Sequence, residues 1–231
     1  MSLTSQLREA LDKIAETVAA NGPALGAECE RNAAPILRWI HWYETARSTS
    51  SALELLEGCR AAVLEATAYI CFGLGRAAIT SIRTQIDTLL SFSFFRNHPA
   101  EWNQVVTTGQ GFRLRADVVE YYKGIDKSFE GRLAQIESGS GKRLIDTYRK
   151  LSAHIHGQAP MALPDAMEMK TLIWDEPRLR SVVAIQSDAA ITLSNFLAAV
   201  HATEWQELPA EIVAEAKALI PEHKRASFFG A

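Results

Sequence analysis

Cysteine is scarce in this chain: Cys29, Cys59 and Cys71 are the only three among 231 residues. They are odd in number, show no C-x-x-C spacing and fall inside apolar helical patterns. They read as reduced core residues, not as a disulfide framework or a zinc site. An excess of one charge is missing too. Lys and Arg total 24 against 27 Asp and Glu, and the net charge of −3 argues against a basic coat for nucleic acid while leaving room for a local basic patch. Long apolar runs are also lacking. The longest, over 66–74, is too short to span a bilayer and is followed by Arg76. The first residues, MSLTSQLREALDKIAE, are amphipathic and hold no apolar signal core. A cytoplasmic protein without a membrane association is expected. Nucleophile elbows, Walker motifs and dinucleotide fingerprints are absent. Gly73-Leu74-Gly75 is no phosphate loop, because no strand precedes it and no third Gly or Lys completes it. No histidine or acidic pair stands at convincing metal-ligand spacing, and His154-x-His156 would splay apart on a helix. Neither a metal nor a cofactor is expected.

Period-two strand patterns are nearly absent, and helical spacing dominates what is present. Hydrophobic content of 48% with 22% charged residues is enough for a sizeable buried core. The fold class expected is all-α, a mostly antiparallel helical bundle in a single domain over 1–231. Its parts would be an N-terminal helical hairpin (1–47), a core bundle (48–203) and a small C-terminal helix with a tail (204–231). Leu7, Leu11, Ile14 and Val18 would face inward from a first helix, stopped at Asn21-Gly22-Pro23. A second helix over 24–47 carries Ile36, Ile40 and Tyr43, with Trp39 and Trp42 adding aromatic bulk and His41 facing outward. After a polar hinge at 48–51, a third helix turns Leu53, Leu56, Ala62, Leu64 and Ala68 inward.

Two glycines at Gly73 and Gly75 need a reason, since each costs about 1 kcal/mol in a helix interior. Close helix packing is the plain one. The helix that follows, over 76–96, becomes very apolar at 90–95, so it is central or part of a subunit interface. Asn97 or His98 would cap the next helix, with Pro99 in its first turn and Glu101 in support. One long helix is expected over 116–137, then a flexible Ser138-Gly139-Ser140-Gly141 connection. A short extended segment over 167–174 and a last long helix ending near His201 complete the core.

Chemistry is concentrated in the helix over 142–156, which runs Asp146-Thr147-Tyr148-Arg149-Lys150-Leu151-Ser152-Ala153-His154-Ile155-His156 and stops at Gly157, a natural C′ residue. Leu144, Tyr148, Leu151 and Ile155 form its apolar seam. Arg149 and His156 lie seven apart, so at about 100° per residue they differ by only about 20° and share a face. Ser152 sits between them, placed to orient His156 or touch substrate, and His154 points away from Arg149. A guanidinium that holds a phosphate above an imidazole that moves a proton can cleave RNA without a metal. Lys142, Arg143 and Lys150 add local positive charge. His154 is the alternative base should the helix unwind early. Arg83 pairs with Asp87 at i, i+4 and would face the same cleft as Arg149.

The pattern resembles the HEPN superfamily, in the forms found in bacterial defence and abortive-infection loci. Arg149-x4-His154 and Arg149-x6-His156 both fit its R-x4-6-H signature, and the resemblance covers 76–157. Arg83 to Asp87, then His98-Pro99-Ala100-Glu101, then Tyr148 to Gly157 follow the order of motifs in those proteins; Lys150 stands where a polar residue usually follows the arginine. The resemblance implies a homodimer whose two Arg/His pairs meet in one cleft. It also implies metal-independent cleavage of RNA (tRNA among the targets) and an antitoxin or another defence-complex protein as partner. Catalytic roles would fall to Arg149, His156 and His154, and substrate contacts to Ser152, Lys150, Arg83, Arg143 and Tyr148. The rival reading is a non-catalytic helical interaction module or regulatory subunit, suggested by the net negative charge and the apolar segment at 90–95.

Overall fold

A computed structural model describes residues 2–46, 50–137, 143–158 and 168–230. The protein is 84% helical, and no strand occurs among the described residues. The expected flexible connection at 138–141 and the hinge residues 47–49 lie outside them, as does Lys142.

Helix α1 (Leu3–Ala46) is one helix of 44 residues, not the expected hairpin. A proline inside a helix removes a hydrogen bond and costs about 3 kcal/mol, yet Pro23 and Pro35 both lie within α1. Tertiary packing overrides that penalty. Gly22 is buried against the end of α2 (Glu54–Cys71), with Cys71 Sγ 3.4 Å from the Gly22 carbonyl oxygen. A 3₁₀ turn (Met169–Leu172) clasps the N-terminal half: the Met169 N–H donates to Gln6 Oε1 at 3.2 Å, and Lys170 pairs with Glu9 at 3.2 Å. Beyond Pro23, Leu25, Cys29, Ile36, Trp39, Ile40 and Tyr43 are all buried. At about 1.5–3 kcal/mol for each large side chain, that burial outweighs the two lost bonds. The expected inward stripe is corrected by the same contacts. The 3₁₀ turn docks on a neighbouring face, so Ala10 and Thr17 are buried while Leu7 and Leu11 are exposed.

Helix α2 runs antiparallel to α1, as Cys71 lies at Gly22 while Arg60 pairs with Glu44. Its buried positions are Leu55, Leu56, Cys59, Ala62, Val63, Ala66 and Ile70; Leu64, expected inward, is exposed. Gly73 then breaks the chain at φ +81° and α3 (Gly75–Phe95) returns antiparallel to α2. The glycines have a direct cause. The Trp174 N–H donates to the Gly73 carbonyl at 2.8 Å, and a Cβ on Gly75 would meet the Trp174 indole at 2.2 Å. Residues 89–95 of α3 are all buried within the chain, which makes α3 the central helix and removes the subunit-interface reading of that segment. Around it stand α2, α4 (Pro99–Thr108), α5 (Arg115–Ile125), α7 (Arg143–Ile155) and α8 (Glu176–Val200).

The long helix expected over 116–137 is two helices, α5 and α6 (Phe129–Ile136). Asp126 breaks them, its Oδ1 accepting the Ser128 N–H at 2.8 Å while Oδ2 pairs with the buried Arg132. The segment before α8 is a 3₁₀ turn, not a strand. Helix α8 runs parallel to α1, since Glu28, Asn32, Trp39 and Tyr43 meet Arg180, Val183, Ser194 and His201 in the same order. Gln85 of α3 and Gln186 of α8 exchange buried amide hydrogen bonds at 2.9 and 2.8 Å. The span Met169–Val200, which includes α8, is long and apolar enough to cross a bilayer by length and composition, but 67% of its most apolar stretch is buried inside the protein, as in a core helix. The C-terminal tail is a second small helix, α10 (Glu222–Phe229), after α9 (Ala210–Leu219); Phe228 and Phe229 dock it.

Candidate functional site on helix α7

Helix α7 is seated from both ends. At its start, the Arg143 N–H donates to Glu137 Oε2 at 3.0 Å, so a buried carboxylate from the end of α6 takes up an orphan donor of the first turn. Burial pushes the Glu137 carboxyl above its usual range. The Arg143 guanidinium reaches α8 and pairs with Asp188 at 2.8 Å. Leu144, Thr147 and Leu151 are buried, with Tyr148 and Ile155 packed beside the core. At its end, Gly157 adopts φ +66°, while the Gly157 and Gln158 N–H groups donate to His154 O and Ala153 O at 3.3 and 2.8 Å. That is a Schellman stop, and it leaves His156 in the cap position with its backbone N–H on Ser152 O at 2.9 Å.

Arg149, Lys150 and His156 are exposed. Arg149 projects with 73% of its side chain free and touches Asp146 at 3.3 Å. An exposed pair of this kind contributes about 0–1 kcal/mol, so an incoming phosphate can displace the carboxylate. Ser152 is half-buried, and no hydrogen bond joins its hydroxyl to His156 among the described residues. The suggested orienting role therefore has no contact behind it. His154 lies within the helix, which runs on to Ile155, so the early unwinding that would swing it toward Arg149 does not occur. Its ring is half-buried, Nδ1 is enclosed without a partner, and desolvation lowers its pKa. Arg143 is committed to Asp188 and Lys150 is exposed, while Lys142 lies outside the described residues.

Arg83 does come to α7, but through Tyr148. Its guanidinium donates to the Tyr148 hydroxyl at 2.8 Å and lies 4.7 Å from the ring centre. Its Nε stands 3.5 Å from Asp87. Arg115 of α5 covers Tyr148 at 5.0 Å. Two guanidinium groups thus hold one tyrosine against a single carboxylate, a net positive cluster where α3, α5 and α7 converge. Asp87 Oδ1 and Arg115 Nε are buried within it without hydrogen-bond partners among the described residues. Burial raises the Asp87 carboxyl, opposed by Arg83, Tyr148 and Arg115, and it raises the Tyr148 phenol as well. Arg115, Glu137 and Asp188 were invisible as site residues in the sequence. One signal existed for Arg115: a cation in the first turn of a helix opposes the helix dipole and needs another reason to be there.

The His98-Pro99-Ala100-Glu101 motif serves the fold. His98 occupies the N-cap position of α4, but its side chain does not cap; Nδ1 lies 2.8 Å from Phe94 O and the ring stacks on Phe94. Glu101 holds Arg113 at 2.9 Å. Trp39 and Trp42 are buried around His201, so they form core and offer no exposed stacking surface. Among the described residues, no three His, Cys, Asp or Glu side chains converge as metal ligands. Comparison with family models, characterised proteins and solved structures finds no match to this chain.

Proposed function

We propose that the protein is an HEPN-like, metal-independent endoribonuclease of the cytoplasm, acting in toxin or antiphage defence, whose working site forms where the α7 helices of two chains meet. One observation carries this reading: Arg149 from the middle of α7 and His156 from its end are both exposed to solvent, on the helix whose Tyr148 meets the net positive Arg83/Asp87/Arg115 cluster. An exposed guanidinium is free to hold a phosphate, and an exposed imidazole is free to meet a substrate hydroxyl. His156 would remove the ribose 2′-hydroxyl proton. The 2′-oxygen then attacks phosphorus, the P–O5′ bond breaks, and the leaving oxygen takes a proton from water or from the second chain's imidazole. The products are a 2′,3′-cyclic phosphate and a 5′-hydroxyl. Arg149 stabilises the charge that develops on the phosphoryl oxygens, and Lys150 supports a neighbouring phosphate.

His156 is preferred over His154 as base because it is exposed at the helix end, whereas burial withdraws His154. Cleavage of RNA in EDTA by single variants tests the assignment. Arg149→Ala and His156→Ala are each expected to lower cutting by about 10²-fold or more, with His154→Ala close to wild type. Unchanged cutting by the His154→Ala/His156→Ala double variant would contradict the proposal. A second reading, a non-catalytic interaction module, is favoured by Leu3, Leu7 and Leu11, an exposed apolar stripe on α1. It predicts a protein partner and no cleavage.

A further inference from the structure

A cavity of about 280 Å³ opens between α1, α6, α8 and α9, on elements separate from α7 and its cluster. It is nearly twice the size of an engineered cavity of roughly 150 Å³ that takes up benzene. Pro35, Ile136, Ile191, Ala198, Ile212 and Leu219 give it apolar walls. Its polar wall residues are Ser194, Asn195 and Glu215. Two of these are occupied: the Ser194 hydroxyl accepts the Trp39 indole N–H at 3.0 Å, and Glu215 pairs with Arg38 at the edge. Asn195 is different. It is 2% exposed, and its carboxamide nitrogen has no hydrogen-bond partner among the described residues. A buried donor left unpaired costs about 1–3 kcal/mol. Asn195 lines the cavity, and the terminal torsion of asparagine is soft, so its carboxamide can turn to present the nitrogen to a bound acceptor.

We propose that this cavity is a binding site for a small, neutral, largely apolar molecule bearing one carbonyl acceptor, with the Asn195 amide as the donor that orients it. Apolar walls with one placed polar group are the usual composition of a small-molecule site. The neutral form follows from the lining: the carboxylate of Glu215 is already paired with Arg38, so a charged ligand would be desolvated against apolar walls without a counter-charge.

The test uses the full chain and two probes of one shape, acetophenone and α-methylstyrene, in which a methylene replaces the carbonyl oxygen. Methyl NMR titration should move the resonances of Ile136, Ile191, Ala198 and Ile212, and acetophenone should bind about tenfold more tightly. Asn195→Leu should abolish that tenfold preference while leaving α-methylstyrene binding unchanged. Ala218→Trp, at an exposed position on the wall, should block both probes. Equal affinity of the two probes for the wild type would overturn the proposal without any variant. So would a preference that survives Asn195→Leu, or saturation that leaves the four methyl groups unmoved.

Discussion

Tyr148 fixes the orientation of α7, because two guanidinium groups close on its ring and one bonds its hydroxyl. Tyr148→Phe keeps the ring contacts and deletes the 2.8 Å bond. The expected loss is about 1 kcal/mol in urea unfolding, and an unchanged midpoint would show that the bond is not maintained. His154 makes a pH prediction. Burial holds its folded pKa below the unfolded value of about 6.5, so the unfolded chain binds the proton first on acidification. Its contribution to stability is full above that pH and is lost as pH falls toward the lower folded pKa. His154→Gln, which cannot charge, should lose less stability than wild type between about pH 8 and about pH 5. Parallel pH curves would contradict the burial argument. The cysteines show how far residue type alone carries. Their apolar spacing marked them as core, and burial pushes the Cys29 and Cys59 thiols up to about 12. Both should resist a thiol reagent such as dithionitrobenzoate in the native protein and react fully in denaturant.

Among the elements, those whose signals are local were legible in the sequence. The apolar seam of α3, the Gly157 stop of α7 and the burial of Cys29 and Cys59 follow from spacing and backbone preference, while Cys71, also expected in the core, is half-buried. Elements decided by distant contacts were not. The continuity of α1 through Gly22-Pro23 depends on Cys71 and on the 3₁₀ turn at Met169–Leu172, some 150 positions away in the chain by simple subtraction. Leu7, Leu11 and Leu64 keep a helical period but have no neighbour to bury them, and a period cannot report whether a neighbour exists. Two variants test element-level claims. Glu137→Ala should destabilise the chain by about 1–2 kcal/mol and speed amide exchange at the start of α7. Exchange at wild-type rates would mean that Glu137 does not anchor the helix. Gly75→Ala places a methyl group in the Trp174 ring and should cost about 1–3 kcal/mol. Combining it with Trp174→Leu should cost less than the sum of the two single changes.

On the scale of the whole molecule, a central α3 wrapped by α2, α5, α7 and α8 leaves one side of α7 facing outward. The candidate site was partly legible there. Arg149 and His156 are exposed on α7, and Arg83 reaches that helix at Tyr148. The use of Arg143, the withdrawal of His154 and the entry of Arg115 depend on how α5, α7 and α8 pack, which no local pattern encodes. The net charge of −3 offers no general basic surface, and on α7 the proposed site presents Arg149 and Lys150 as exposed cations. RNA affinity should therefore fall only modestly with added salt, as expected when few phosphates are contacted.

The most direct test of the proposed activity is the end chemistry of tRNA and total RNA incubated with purified wild-type protein in EDTA. Fragments carrying 2′,3′-cyclic phosphates and 5′-hydroxyls, absent with Arg149→Ala and His156→Ala, are the predicted result. Fragments ending in 3′-hydroxyls and 5′-phosphates, or cutting by either variant at the wild-type level, would contradict it.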